Sequence, residues 1–308
     1  MLESGTKAFW RATLALCLGS IMIFANLYTT QPLLPMLVQQ FGVTELQASY
    51  TLTISTLTLG ISLLLYGPLS DALGRRGIMI LTMVGVTLTT VALSQVSSFG
   101  WLLFFRALQG FFLGGLPAIA IAYMGEEFTK KAMIIAVGFY ISANTIGGIS
   151  GRVISGLVGD WMGWSESFAA MAIINLLLVL TFAWLLPPSE RFRPKTLRLP
   201  KIVRNFRKHL SNPVLLLAYL VGGFNFFIFI NQYSYATFLL ADAPYYLSAS
   251  ALGMLFLTYL SGTVSSALSG HVAHHLPQPL CMALGIVLMM IGSLITLLPS
   301  ILAIIGGF

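Results

Sequence analysis

Gly67-Pro68-Leu69-Ser70-Asp71-Ala72-Leu73-Gly74-Arg75-Arg76-Gly77 is a patch of glycine and charge between two long apolar stretches. Its spacing reads G-x-x-x-D-x-x-G-R-R. The flanking stretches, 46–69 and 77–96, each approach the roughly 20 residues that cross a bilayer as a helix. The patch is therefore a turn between two membrane spans, too short to hold a domain. Glycine allows the chain to reverse there, and adjacent arginines bias such a turn to the cytoplasm. Asp71 closes the second span, where the helix dipole disfavours an acid. It needs a partner: Arg75, a base on a neighbouring helix, or a helix N-terminus. Glu126 and Glu127, at the next turn on that side, join this latch or stand solvated. The simpler alternative is a plain positive-inside turn.

Composition extends this reading to the whole chain. Hydrophobic residues make up 57% and charged residues 8%, against about 25% charged in a soluble domain. Mean hydropathy is +0.90. A surface facing water cannot be built from this sequence. Helix-length spans are expected at 10–36, 46–69, 77–96, 99–124, 132–158, 165–186, 213–240, 247–270 and 279–298, with a tenth starting at Ser300. The spans are continuous apolar runs without the alternation of barrel strands, which excludes a β-barrel. The first run is too long for a signal peptide and has no small-residue cleavage site, so it reads as an uncleaved span. Cys17 and Cys281 fall inside spans, and neither a disulfide framework nor metal-ligand spacing is expected. The glycines at 147–151 lack the lysine and strand context of a phosphate-binding loop, so no nucleotide and no cofactor is expected.

Charge sets the orientation. With the N-terminus inside, Lys7, Arg11, Arg75, Arg76, Lys130, Lys131 and the eight Lys and Arg of 191–208 all fall on the cytoplasmic side. That asymmetry follows the positive-inside rule. The net charge of +7 thus reports orientation and contact with anionic headgroups, not nucleic acid. The chain divides into a six-helix bundle at 1–186, a basic cytoplasmic linker at 187–212 containing an interfacial amphipathic stretch, and an incomplete second bundle at 213–308. A shift of 203 residues sets the Gly67–Arg76 turn against Gly270–Leu276, a weak internal repeat that supports two halves. His271, His274 and His275 lie in that second turn and read as solvated side chains rather than a metal site.

Two arginines lie deep in spans. Arg106 opens Arg106-Ala107-Leu108-Gln109-Gly110, followed by Gly114-Gly115-Leu116-Pro117, and lies about ten ångströms into the apolar layer. An arginine at that depth faces a water-filled cavity or a set of hydrogen-bond partners. It either serves transport or is a structural arginine satisfied by carbonyls and Gln109. The fifth span carries Asn144, Gly147-Gly148-Ile149-Ser150-Gly151-Arg152 and Gly156. Gly110, Gly114, Gly147, Gly151 and Gly156 form small-residue faces on which helices pack closely. No acid accompanies Arg106 or Arg152 deep in a complete span, so an anionic or electronegative substrate is one expectation. Polar residues of the first and seventh spans (Asn26, Tyr28, Gln31, Asn225, Asn231, Gln232, Tyr235) are the remaining candidates for a central cavity.

The Gly67–Gly77 turn, the R-x-x-Q-G run at Arg106 and the glycine-rich fifth span together resemble motifs of the major facilitator superfamily (MFS). Asn26-Leu27-Tyr28-Thr29-Thr30-Gln31-Pro32 narrows the resemblance to its acriflavine-sensitivity, or YnfM-like, efflux group. Arg152 departs from the antiporter motif, which has proline there. The resemblance implies an all-α polytopic membrane protein with an MFS-type bundle: a six-helix N-terminal half and an incomplete C-terminal half, nine spans and the start of a tenth where the family has twelve. It implies a monomeric secondary transporter in the bacterial inner membrane, exporting drugs or metabolites by alternating access. Proton coupling is one expectation, and the absence of a deep acid, the usual proton carrier, weighs against reading antiport from this sequence. It further implies Arg106 in ion coupling or substrate contact, and Gly67, Asp71, Gly74, Arg75 and Arg76 in a cytoplasmic gate. The alternative expectation is a truncated, non-transporting remnant. The expected partners are a small-molecule substrate, protons and the lipid bilayer.

Overall fold

The computed structural model of the chain describes residues 1–189, 192–194, 199–262 and 277–307. Its helices begin where short polar side chains supply the missing acceptors. Thr6 caps α1 (Lys7–Tyr28), accepting from the Phe9 amide at 3.2 Å. A capping box opens α3 (Glu45–Leu73): Thr44 Oγ1 accepts from the Gln47 amide at 3.2 Å, and Gln47 Oε1 accepts from the Thr44 amide at 2.9 Å. Between α3 and α4 (Arg75–Leu93) stands Gly74 with φ +108°, a backbone state that L side chains rarely adopt. Ser98 caps α5 (Phe99–Leu113) and Thr129 caps α7 (Lys130–Met162), while Gly163 separates α7 from α8 (Trp164–Leu185).

Two of the expected spans are broken. The first runs from α1 through a 3₁₀ turn at Gln31–Leu33 into α2 (Leu34–Phe41), because Pro32 and Pro35 lack amide hydrogens and cannot continue an α-helical ladder. The fourth is divided at Gly114 into α5 and α6 (Gly115–Glu127). Pro117 sits in the first turn of α6, where no intrahelical acceptor is lost. Beyond α8 come α9 (Leu199–Leu210), α10 (Pro213–Ala241) and α11 (Ala249–Leu255). A 3₁₀ turn at Phe256–Thr258 prolongs α11, and helix continues to Gly262. Then follow α12 (Gln278–Ile295) and α13 (Ile301–Gly307). The far end of the expected eighth span and the turn with His271, His274 and His275 lie outside the described residues. Among the described residues, seven helical segments are long and apolar enough to cross a membrane, and two more are shorter. The ninth expected span corresponds to α12, with 18 residues.

α1 runs along α7 and α8, α3 along α5 and α6, and α4 along α5 and α8. Close approach needs glycine at a few points. A Cβ on Gly147 would stand 2.6 Å from the Ile21 carbonyl oxygen, and one on Gly151 would overlap that of Ala25. On the other side of the bundle, Gly110 and Gly114 bring α5 against Ser55 and Ser62 of α3 in the same way.

One end of the bundle, the basic end, carries the turns at Gly74 and Thr129 with Arg75, Arg76, Lys130 and Lys131. The opposite end carries the turns at Gly42, Ser98, Gly163 and Asp242. Exposed tryptophans mark both levels, Trp10 and Trp184 at the basic end and Trp101 and Trp161 at the other, as amphipathic rings do at membrane interfaces. From Pro213 to Ile228 the side chains of α10 are nearly all exposed. Only beyond that does it pack: Tyr233, Ala236 and Leu240 against Leu252, Leu255, Phe256 and Ile304, and Phe238 against Leu34, Leu37 and Phe168. Contact between α10–α11 and the first six spans is therefore concentrated at the end away from the basic turns.

Candidate functional site

Arg106, fully buried, is held by main-chain oxygens. Nε donates to the Thr51 carbonyl at 3.0 Å, Nη1 to the Asn26 carbonyl at 3.0 Å and Nη2 to the Leu27 carbonyl at 2.9 Å. Nη1 also donates to Gln109 Oε1. The two α1 carbonyls lie in the last turn of that helix, where no intrahelical donor is available and the dipole is negative. An arginine at mid-membrane depth costs about 2.5 kcal/mol or more, and this set of acceptors offsets that cost without a carboxylate.

Around Arg106 the network continues through amides and hydroxyls. Asn26 and Asn175 exchange side-chain hydrogen bonds, Nδ2 to Oδ1 at 2.7 Å in one direction and 2.9 Å in the other. Thr90 Oγ1 accepts from Gln109 Nε2 at 2.8 Å and from Asn175 Nδ2 at 3.1 Å. One connected polar cluster thus joins α1, α3, α4, α5 and α8. The sequence reading placed Asn26, Arg106 and Gln109 among its candidates and missed Asn175 and Thr90. Asn175 carried a readable signal, an amide in the middle of an apolar span. Thr90 did not, since it looks like the many threonines that bond within their own helix.

Arg152 lies elsewhere, between α1, α7, α10 and α11. Its guanidinium carbon sits 3.8 Å from the Tyr28 ring centroid, 4.3 Å from that of Phe256 and 5.1 Å from that of Tyr259. Nε donates to Gln31 Oε1 at 2.6 Å and Nη1 to the Gly148 carbonyl at 2.8 Å. Nη2 is buried without a hydrogen-bond partner, as is the Tyr259 hydroxyl. Gln31 Nε2 donates onward to Ser234 Oγ of α10 at 2.8 Å. Above this level α7 and α11 touch backbone to backbone. A Cβ on Gly156 would stand 2.5 Å from the Ala249 carbonyl oxygen, and one on Gly253 would stand 2.6 Å from that of Arg152. Ser250 Oγ then donates to Asp160 Oδ2 at 2.7 Å. Beside this contact lies a cleft of about 210 Å³ lined by Pro32, Gln39, Asp160 and Leu252.

The other candidates are scattered. Asn144 accepts from Ser20 Oγ across the α1–α7 seam. Asn231 donates to the Phe227 carbonyl of its own helix at 2.8 Å, and Tyr235 is exposed. At the basic end, Arg75 is 4% exposed and forms an ion pair with Asp71. Its Nε and Nη2 donate to Glu126 at 3.2 and 2.7 Å, and its Nη1 to Ser70 Oγ at 2.7 Å. Arg76 donates to the Ala183 and Leu186 carbonyls at 2.7 and 3.0 Å, where the negative end of the α8 dipole favours a cation. Arg75 and Arg76 thereby tie α3, α4, α6 and α8 together. Gly67 has open space around it.

A bundle of apolar spans with its polar groups turned inward defines a multi-pass α-helical membrane protein. The chain belongs to the major facilitator superfamily, whose sequence model matches residues 16–308, and falls in the YnfM-like group. It is 38% identical over 269 residues to the inner membrane transport protein YnfM of Escherichia coli (strain K12). That match covers 87% of this chain and 64% of YnfM, so the chain spans less than two thirds of that relative's length. It is 25% identical over 264 residues to the multi-drug resistance efflux pump PmrA homolog of Lactococcus lactis subsp. lactis (strain IL1403), covering 84% of this chain and 63% of that one. In fold it is similar to a bacterial homolog of the human lysosomal transporter Spinster in an inward-facing, unoccupied conformation. The TM-score is 0.72 at 18% identity, over 98% of this chain and 73% of that one.

Proposed function

We propose that this chain acts as a secondary carrier that exports small molecules, drugs or metabolites, by alternating access in a bacterial inner membrane. The observation that carries this reading is the uneven boundary between the first six spans and α10–α11. Gln31–Ser234, Gly156–Ala249 and Asp160–Ser250 close it at one end, and the α10 residues packed against the first six spans, Ile230, Ser234 and Phe238, all lie in the half of that helix nearer this end. Two helix groups closed at one end and apart at the other are what a rocking carrier presents in one of its two states. The names of YnfM, a transport protein, and the PmrA homolog, an efflux pump, support transport and export.

In this reading residues 1–186 and 213–308 are the moving bodies and 187–212 the linker. The N-terminus and the basic turns face the cytoplasm, the carrier works as a monomer, and a proton gradient drives export. Arg106, Gln109 and Asn26 hold the first bundle rigid. Arg152, Tyr28, Gln31 and Asn144 face the substrate path. Gly67, Asp71, Gly74, Arg75 and Arg76 control the cytoplasmic end. The test is export of preloaded ethidium and of preloaded fluorescein from cells expressing the chain, beside an Arg152→Ala variant matched for membrane level. Export of either dye that falls in the variant supports the reading. Retention of both dyes at full membrane expression counts against export of this substrate class.

A further inference from the structure

The Arg152 cage has a specific incompleteness. The Arg152 guanidinium carbon lies 3.8 Å from the Tyr28 ring centroid and 4.3 Å from that of Phe256, and a guanidinium donates only within its own plane. Two of its three nitrogens are committed there, Nε to Gln31 and Nη1 to Gly148. The third, Nη2, is buried and donates to nothing, and the hydroxyl of Tyr259, whose ring lies beside the same guanidinium, is likewise buried and unpartnered. Arginine stays charged in any protein environment. Among the described residues no ion pair to Arg152 forms; the salt bridges are those of Arg75. A buried charge of this kind is stable when a counter-charge and acceptors complete it. Gln31 and Gly148 fix the guanidinium plane, so the buried, unpartnered Nη2 is already oriented.

We infer that this cage is the subsite for the carboxylate of the transported molecule, an organic monoanion whose apolar or aromatic body packs among Tyr28, Tyr233 and Phe256. The inference rests on the carrier reading above and assigns its substrate class. One cation and one hydroxyl suit a single negative charge with two oxygens, and an Arg–carboxylate contact is a strong charge-assisted hydrogen bond. The aromatic walls admit no hydration shell, which favours a carboxylate attached to a flat or branched apolar group. The site lies where α1, α7, α10 and α11 meet, so an anion bound there touches both moving bodies and ties occupancy to their relative position.

The test is equilibrium dialysis of the full chain in nanodiscs with radiolabelled benzoate, competed by unlabelled benzoate or by benzamide, its neutral counterpart. The wild type binds benzoate saturably, with benzamide at least about tenfold weaker. Arg152→Gln abolishes saturable binding. Tyr259→Phe weakens it by about tenfold, while its melting temperature stays level or rises because the hydroxyl makes no bond in the unliganded protein. That split between binding and stability separates a ligand contact from a structural role. Absence of saturable benzoate binding to the wild type, or equal binding in both variants, overturns the assignment. If dye export persists in either of those cases, the carrier reading stands without this subsite. Benzoate binding in a protein that moves neither benzoate nor dye leaves the subsite and removes the carrier reading.

Discussion

Gln31 bridges Arg152 and Ser234: its carbonyl accepts from Arg152 Nε at 2.6 Å and its amide donates to Ser234 Oγ at 2.8 Å. One side chain from the bend after α1 thereby links α7 to α10. Ser234→Ala leaves that amide buried without an acceptor, at a cost of about 1–3 kcal/mol. Gln31→Glu does the opposite, placing a carboxylate against Arg152. Gln31→Glu is expected to raise the melting temperature and abolish benzoate binding, and Ser234→Ala to lower the melting temperature. Thermal unfolding in detergent checks the first and third, dialysis the second.

Arg106 is bound by three carbonyls and a glutamine, an arrangement suited to holding helices together. Arg106→Leu leaves the Thr51, Asn26 and Leu27 carbonyls without this donor, and Asn175→Leu breaks the paired amides with Asn26. Each change is expected to destabilise the bundle by about 1–3 kcal/mol or more. The readout is a lower melting temperature and poorer yield from membranes. A stable Arg106→Leu protein that has lost only export would reassign this arginine to the transport path.

At the basic end, Arg75 is buried while Asp71 and Glu126 are about one third exposed. Water screens the two acids, so the coupling between Arg75 and Glu126 is expected near 1 kcal/mol. A double-mutant cycle with Arg75→Gln and Glu126→Gln measures it, and added salt is expected to shrink it.

Glycines on one helix separate packing from flexibility. Gly151→Ala drives a methyl into the Ala25 backbone, and backbone cannot yield as a side chain can. Gly138, on the same helix, has nothing within 4 Å of the point where a Cβ would stand. Gly138→Ala is expected to stabilise α7 by about 0.5–1 kcal/mol and Gly151→Ala to destabilise the protein. Melting temperatures of the two variants, run side by side, decide the matter.

The turn at Gly74, the apolar spans and the glycine faces of α5 and α7 were legible in the sequence because each follows from local chemistry: φ requirements, bilayer length and close approach. The breaks at Thr29–Pro32 and Gly114 were marked by proline and glycine, yet apolar length ran straight across them. Tyr259 and Phe256 were invisible as partners of Arg152, since about a hundred residues separate them and only packing joins them. Arg106 and Arg152 looked alike as lone buried cations. Their difference, one with every nitrogen paired and one with a buried Nη2 left unpartnered, exists only in three dimensions. Tyr235, four residues from Asn231 and near the end of the same helix, is exposed, a property that residue type alone does not give.

In the carrier reading, Asp160 and Ser250 mark the closed end of a boundary that must open for transport. Cysteines at both positions, in a chain with Cys17→Ser and Cys281→Ser, should form a disulfide readily in membranes under mild oxidation. Alternating access predicts that this cross-link stops export of the dyes and that reduction restores it. Undiminished export through fully cross-linked protein would contradict it.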